Sequence, residues 1–437
     1  MKPQKNKENP QIELFKTELN RIVNLKHPLA KLRKQIDWKT FEIKFEDEFS
    51  DEGRPAIETQ LMVSLHYLKY TYDLSDEETV ARWVENPYWQ YFSGRQYFEH
   101  KVPIDSSSMT RWRKRIGKEG AEELLGQTIR TAVKQKYLKR TQCKKVLVDT
   151  TVQTKAIRFP TDARLYDRMR ESLVKTAQKE EVELRQSYVH VGKKALRRQQ
   201  NYGHARQMRR AKKETRRLRT YLGRVIRDIE RKIKEPSQKL KEQLAVAKQL
   251  MEQKRNSKNK IYSIHEPHVE CIAKGKVHQR YEFGCKVGFV VSAKGNWILG
   301  AQAFTGNPYD GHTLKTSLEQ AQRLTPMKIE QAVCDLGYRG HGIKDTKISI
   351  VPRNKKKASK VIRNLWRRRN AIEPIIGHSK SDHRLNRNQL VGKQGDQFNA
   401  IFSACGFNIK KLLRAFWHWI ENAINSVFEI NLQRDLV

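Results

Sequence analysis

The chain has 437 residues, 38 % of them hydrophobic, and carries 88 Lys plus Arg against 48 Asp plus Glu, a formal net charge of +40. Its apolar content suffices for one large core or two modest ones, and a charge this high repels itself unless it meets a polyanion, which points to nucleic acid. Five scattered cysteines (Cys143, Cys271, Cys285, Cys334, Cys405) form no CxxC pair, the first seven residues lack the apolar core of a signal peptide, and no run of 18 apolar residues occurs, so a cytoplasmic chain without disulfides or membrane spans is expected.

Residues 1–10 are polar and read as a mobile tail. From there to residue 138 the pattern predicts an all-α N-terminal DNA-binding domain. Ile57, Leu61, Leu65 and Leu68 recur at helical spacing after Pro55. Ser75 with Glu78 is a capping box opening a helix that ends before Pro87. Asp105 to Ser108 then cap a short helix bearing Arg111, Arg113 and Lys114. Short helices with a basic last one resemble a helix-turn-helix reader, with those three cations toward DNA.

Residues 139–425 predict an α/β domain with a mixed five-stranded sheet flanked by helices. Val146–Val148 is a β-branched run ending in Asp149. Tyr281–Ser292 and Asn296–Thr305 are two strands around a Lys294-Gly295 turn, and helical spacing follows from His312 to Leu324. Ile329–Cys334 is a strand delivering Asp335, and Ile348–Val351 a fifth, stopped by Pro352. The domain is interrupted at 160–265 by a basic insertion. Leu218, Leu222, Val225, Ile229 and Ile233, then Leu240, Leu244, Ala247 and Met251, predict an antiparallel helical hairpin with a narrow apolar seam. Its cations Arg209, Arg210, Lys212, Lys213, Arg216 and Arg217 would destabilise a helix unless DNA phosphates relieve them. Near the C-terminus, Ile401, Cys405, Ile409, Leu412 and Phe416 form a core stripe, and 426–437 reads as a tail.

Asp149 and Asp335 end neighbouring strands and so face one crevice, although 186 residues separate them. Glu373 follows 38 residues later in a helical stretch, and Trp366, Arg369, Glu373 and Lys380 fall within about 60° of one helix face at 100° per residue. Pro374 either kinks that helix or marks its first turn. Hard Mg²⁺ takes oxygen ligands and keeps waters, so three carboxylates suffice for two ions about 4 Å apart, with Mn²⁺ as a substitute and the neighbouring cations on the phosphate. Asp310 and His312, in a Gly/Asn/Pro loop, are accessory candidates, and Tyr338 and Arg339 beside Asp335 are candidate DNA contacts.

Together these segments resemble the DDE transposases of bacterial insertion sequences, in particular the insertion-sequence-five group. The resemblance covers roughly Leu29 to Leu413. It is carried by Gly53-Arg54-Pro55-Ala56-Ile57, Val146-Leu147-Val148-Asp149-Thr150-Thr151, Pro160-Thr161-Asp162-Ala163-Arg164-Leu165 and Tyr281-Glu282-Phe283-Gly284. Gly306 to His312, Asp335-Leu336-Gly337-Tyr338-Arg339-Gly340 and Ile372 to Lys380 complete it. It implies an RNase H-like core with Asp149, Asp335 and Glu373 as the catalytic, metal-binding triad. It also implies an aromatic–Arg–Glu–Lys signature that Arg369, Glu373 and Lys380 match, with Trp366 where Tyr is usual. The implied activity is Mg²⁺-dependent cleavage at terminal inverted repeats and transfer to double-stranded target DNA, by a homodimer in a bacterial, nucleoid-associated setting. A nuclease that cuts without joining and an inactive DNA-binding relic are the rival readings.

Overall fold

The computed structural model describes residues 2, 16–49, 52, 55–254, 256–273, 280–351 and 359–434. Gly53, Arg54, Pro352, nearly all of the expected N-terminal tail and residues 435–437 lie outside the described residues, whereas 426–434, expected as tail, are helical. The chain divides into two compact units, residues 1–154 with 285–437, and residues 155–284.

The first unit opens with seven helices: α1 (Leu19–Ile22), α2 (Pro28–Gln35), α3 (Trp38–Phe45), α4 (Thr59–Thr71), α5 (Asp76–Glu85), α6 (Pro87–Phe92) and α7 (Ser107–Lys134). Local chemistry sets their starts. Asp37 and Asn86 side chains accept first-turn amides of α3 and α6, Pro28 and Pro87 occupy first helical positions, and Ser75 and Glu78 form the expected reciprocal capping box. The helix opened by the Asp105–Ser108 cap is longer than its sequence suggested. Gly117, at φ +62°, interrupts it, and helical backbone then resumes as far as Lys134.

Helix α4 is buried on every face, and that includes its polar residues His66 and Lys69. Lys69 is tolerated because Asp76, at the start of α5, accepts from Lys69 Nζ at 2.7 Å and from both Nη atoms of Arg113 on α7 at 2.9 and 2.7 Å. Arg113 is 2 % exposed. It is therefore not the exposed DNA contact expected: Asp76 holds its guanidinium inside the helical layer, while Arg111 and Lys114 are exposed.

The sheet contains β1 (Lys145–Thr154), β2 (Glu270–Ala273), β3 (Tyr281–Ser292), β4 (Ile298–Phe304), β5 (Gln331–Cys334) and β6 (Lys347–Ile350), in the order β2-β3-β1-β5-β6 with β4 also on β3. β1–β5 and β5–β6 are parallel, and β3–β4 and β2–β3 antiparallel, so the sheet is mixed. Two expectations change. β1 does not stop at Asp149, because Thr150, Thr151 and Val152 continue the β-branched run to Thr154. Among the described residues the sheet also has six strands rather than five, since β2 is a four-residue strand too short for a period to show. α12 (Asp310–Leu324), α13 (Lys360–Asn370), α14 (Ile372–Asp382) and α15 (Gly392–Arg434) complete this unit. The expected stripe Ile401, Cys405, Ile409, Leu412 and Phe416 is buried in its core.

Within the second unit, α8 (Asp162–Lys179), α9 (Val189–His204), α10 (Met208–Lys232) and α11 (Gln238–Glu252) share a core of their own. The α10–α11 pair is there, but a bare hairpin is an underestimate: α10 also packs against α8 and α9. Leu165, Met169, Leu173 and Ala177, spaced by four along α8, were the signal for it, and all four are buried. Among the described residues no helix is long and apolar enough to cross a membrane.

α15 lies so close to α4 that a Cβ on Gly406 would fall 2.3 Å from the Tyr70 carbonyl oxygen. Neither backbone yields cheaply, so Gly406→Ala is expected to destabilise the chain by roughly 1–3 kcal/mol or more, as overpacking does. Chemical denaturation followed by tryptophan fluorescence measures this, and an unchanged midpoint would show that α4 and α15 are not in backbone contact.

Candidate active site

The parallel register pairs Val146 with Ala332 and Leu147 with Val333. Carried two residues further, it sets Asp149 opposite Asp335. Each aspartate is then oriented by a nearby backbone amide. Asp149 Oδ1 accepts the Thr150 amide at 2.8 Å, and Asp335 Oδ1 accepts the Gly337 amide at 2.9 Å, as the cap of a short 3₁₀ turn over Leu336–Tyr338. Both leave Oδ2 for the crevice.

Arg369 fills the space between those oxygens. Its Nη2 donates to Asp149 Oδ2 at 2.8 Å and Asp335 Oδ2 at 3.4 Å, and its Nη1 to Glu373 Oε1 at 2.8 Å. One guanidinium thus touches all three acids expected from the sequence. The helical face that carried Trp366, Arg369, Glu373 and Lys380 is broken between α13 and α14, with Pro374 in the first turn of α14 rather than at a kink. The Arg369–Glu373 pair survives the break because four residues still bring the two side chains together. Side-chain exposure grades from 13 % at Asp149 through 40 % at Asp335 to 62 % at Glu373, so the site opens toward the α14 side.

A fourth acid stands beside the triad. Asp310 Oδ1, at the start of α12, accepts from Thr150 Oγ1 at 2.8 Å and Lys286 Nζ at 2.9 Å. A Cβ on Gly337 would meet Asp310 Oδ2 and Asp335 Oδ1 at 3.1 Å each, so the absence of a side chain there lets the two carboxylates approach. Asp310 therefore reaches the crevice. His312 does not: it is exposed and makes a ring contact with Tyr309. Thr150 and Lys286, which link Asp310 to the triad, were missed in the sequence; Lys286 lies in an apolar strand where a buried cation was itself the signal.

Tyr338 is corrected as a DNA contact. It is 0 % exposed, and its hydroxyl has no hydrogen-bond partner among the described residues. Burial first, and then the charge of Asp149, hold its phenol well above the usual value. The Cys334 thiol, which precedes Asp335 on β5, is likewise pushed up by burial and then by Asp335 and Asp149. Arg339 is exposed, Lys380 half-buried, and Trp366 packs partly on the core. In the second unit Arg209, Arg210, Lys212, Lys213, Arg216 and Arg217 are all exposed on α10, with Arg217 paired to Glu214 at 2.8 Å.

Among the described residues no group of three His, Cys, Asp or Glu side chains stands close enough together to hold a metal ion. The donor chemistry nevertheless suits a hard divalent cation: three carboxylates present oxygens to one positively charged centre, and nitrogen and sulfur ligands are missing from it. The guanidinium keeps the acids apart at guanidinium distances, which exceed those of a metal shell.

The arrangement is an acidic triad gathered on one cation beside a mixed sheet, in a chain of high positive charge. Residues 17–115 match the family model described as a transposase domain (DUF772), and residues 339–413 match the transposase DDE domain. The second match includes Glu373 and begins four residues after Asp335. Over 195 residues, 45 % of this chain and 94 % of the other, the chain is 49 % identical to the uncharacterized protein ORF8 in the nfe locus of Rhizobium meliloti. No solved structure matches. The two matches support a DDE transposase of insertion sequences. Such a domain implies a DNA-cleaving enzyme that depends on divalent metal.

Removing the guanidinium leaves three carboxylates facing one another. Arg369→Gln is therefore expected to lower Tm in chelator by several degrees, with millimolar Mg²⁺ recovering most of the loss. Differential scanning calorimetry with and without Mg²⁺ tests it; equal Tm values for variant and wild type in chelator would mean that the acids do not need Arg369.

Proposed function

We propose that this chain is the transposase of an insertion sequence of the insertion-sequence-five group, with an RNase H-like catalytic core. It binds terminal inverted repeats, cuts at the element ends with Mg²⁺ and joins the freed 3′-hydroxyl to target DNA. The observation that carries this reading is the convergence of Asp149, Asp335 and Glu373 on Arg369. A central β1 with the β3–β4 antiparallel pair on one side and parallel strands on the other supports the core assignment.

In this reading Asp149, Asp335 and Glu373 hold two Mg²⁺ ions, and Mn²⁺ can replace them. Ions held there would supply activation of the attacking oxygen and stabilisation of the leaving one in an in-line displacement. Arg369, relieved of balancing the acids, grips the phosphate, and Lys380 extends that grip along α14. Asp310 positions Thr150, the neighbour of Asp149, and takes its charge balance from Lys286. Trp366 stacks on base or sugar, and Arg339 contacts the backbone near the scissile position.

The N-terminal helices, through Arg111 and Lys114, read the repeat, and the cations of α10 follow the backbone. Two element ends must be joined in one event, which makes a homodimer the working form on DNA. Nucleoid association in the bacterial cytoplasm follows from the charge.

Glu373→Gln tests the function directly. Wild type, a linear duplex carrying the element ends, an acceptor plasmid and Mg²⁺ are expected to give joined products. The variant should lose at least about 100-fold in joining and cutting while duplex binding stays within about twofold, since one metal ligand is gone and the cations remain. Cutting without joining by wild type would make the protein a nuclease, and binding without cutting would make it an inactive relic.

A further inference from the structure

Away from the triad, a cavity of about 360 Å³ lies between the N-terminal helices and the segment joining α14 to α15. Its wall includes Lys69, Asp76, Arg113, Lys114, Arg384 and Arg387. We infer that it is a phosphate seat for the DNA backbone, separate from the catalytic acids and built to hold the duplex in register with them.

The charge is unbalanced where imbalance is costly. Lys69 and Arg113, 4 % and 2 % exposed, share the single carboxylate of Asp76. Burial outweighs the attraction of Asp76 and brings the Lys69 ammonium down to about 8, with Arg113 pushing the same way. A buried cation pair on one acid lacks an anion. The other acids nearby do not supply it: Glu77 is exposed, and Asp73, 48 % exposed, sits 3.6 Å from Arg384 Nη1 on the outer side.

The backbone of the opposite wall is also unusual. Arg384 and Arg387 stand at φ +59° and +53°, where non-glycine residues are strained. Surrounding bonds enforce this. The Arg387 amide donates to Thr154 Oγ1 at 2.9 Å, the Asn388 amide to Thr154 O at 2.8 Å, and Asn388 Nδ2 to buried Asp396 at 2.7 Å. These bonds fix the backbone at Arg387, while Arg384 Nη1 donates to the Asp73 carbonyl oxygen at 3.0 Å, so both arginines stand at set places on the rim of a cavity that already carries surplus charge. A phosphate takes bidentate donors from such a rim and supplies the missing negative charge.

The anchor also fixes a distance. Thr154 is the last residue of β1, five beyond Asp149, and a strand rises about 3.3 Å per residue. A phosphate seated beside Arg387 is therefore about 16 Å from the acids along β1, on the order of half a duplex turn. That spacing lets one duplex touch both places. The inference rests on the chain acting on DNA, and the test separates the two ideas.

Full-length protein is titrated into a fluorescein-labelled 30-base-pair duplex, and anisotropy is followed from 50 to 300 mM NaCl. Arg387→Gln is expected to reduce the slope of log K against log salt by about 0.9, and Arg384→Gln with Arg387→Gln by about twice that. Lys315→Gln, an exposed site on α12, should leave it unchanged. Arg387 is exposed, so its replacement should fold, which an unchanged Tm without DNA verifies. A wild-type slope in both arginine variants overturns the seat while leaving the transposase reading intact. If inorganic phosphate raises the wild-type Tm and the slopes still do not move, the cavity takes free phosphate and the DNA seat is again overturned. Wild type that binds no duplex removes both readings.

Discussion

Three carboxylates that face one crevice repel each other, and the first unit is organised around holding them there. At an effective dielectric near 20, two unit charges 4 Å apart cost about 4 kcal/mol, an amount comparable to much of a domain's net stability. Arg369 is the group that offsets it, with one planar fork spread over Asp149, Asp335 and Glu373. Lysine would not serve, since its point charge cannot present parallel donors to separate acids. The break between α13 and α14 has its purpose here: it turns Glu373 toward the crevice while Arg369 reaches it from the preceding helix. Asp310 and Lys286 form a second neutral pair alongside, so the fourth acid adds no net charge.

The sequence announced these acids for reasons that can be named. An apolar β-branched run followed by an acid is a local pattern, and parallel pairing of two such runs needs only the neighbouring order of β1 and β5. Arg369 was expected on the phosphate, whereas in the structure it holds the acids. That difference was not legible, because it depends on a register between strands 186 residues apart in the chain. Asp149 was placed at a strand end and stands mid-strand, since Thr150 to Thr154 continue the pairing pattern past it. Arg113 and Tyr338 show the converse failure. Composition marks an arginine or tyrosine as available, and only packing reveals that Asp76 has claimed the one and the core has enclosed the other.

Charge divides differently from fold. Much of the cationic surface of α10 belongs to a unit with its own apolar core, so basic residues there can accumulate without disturbing the sheet. In the first unit, by contrast, cations that enter the interior are held by specific acids: Lys286 by Asp310, Arg369 by the triad, and Arg113 with Lys69 by the one carboxylate of Asp76. The same residue type thus does opposite work in the two units, one by remaining solvated and the other by being confined. Neither arrangement follows from the net charge of +40 alone.

The backbone contact between Tyr70 and Gly406 has a consequence in time. α4 is buried on every face, and one of those faces is closed by α15. On a ribosome adding on the order of 10 residues per second, α4 emerges tens of seconds before the residues that cover it. During that interval the nascent chain displays an uncovered core to chaperones and proteases. A gene copy truncated before α15 would yield a product that never closes that core, and so would be degraded rather than persist.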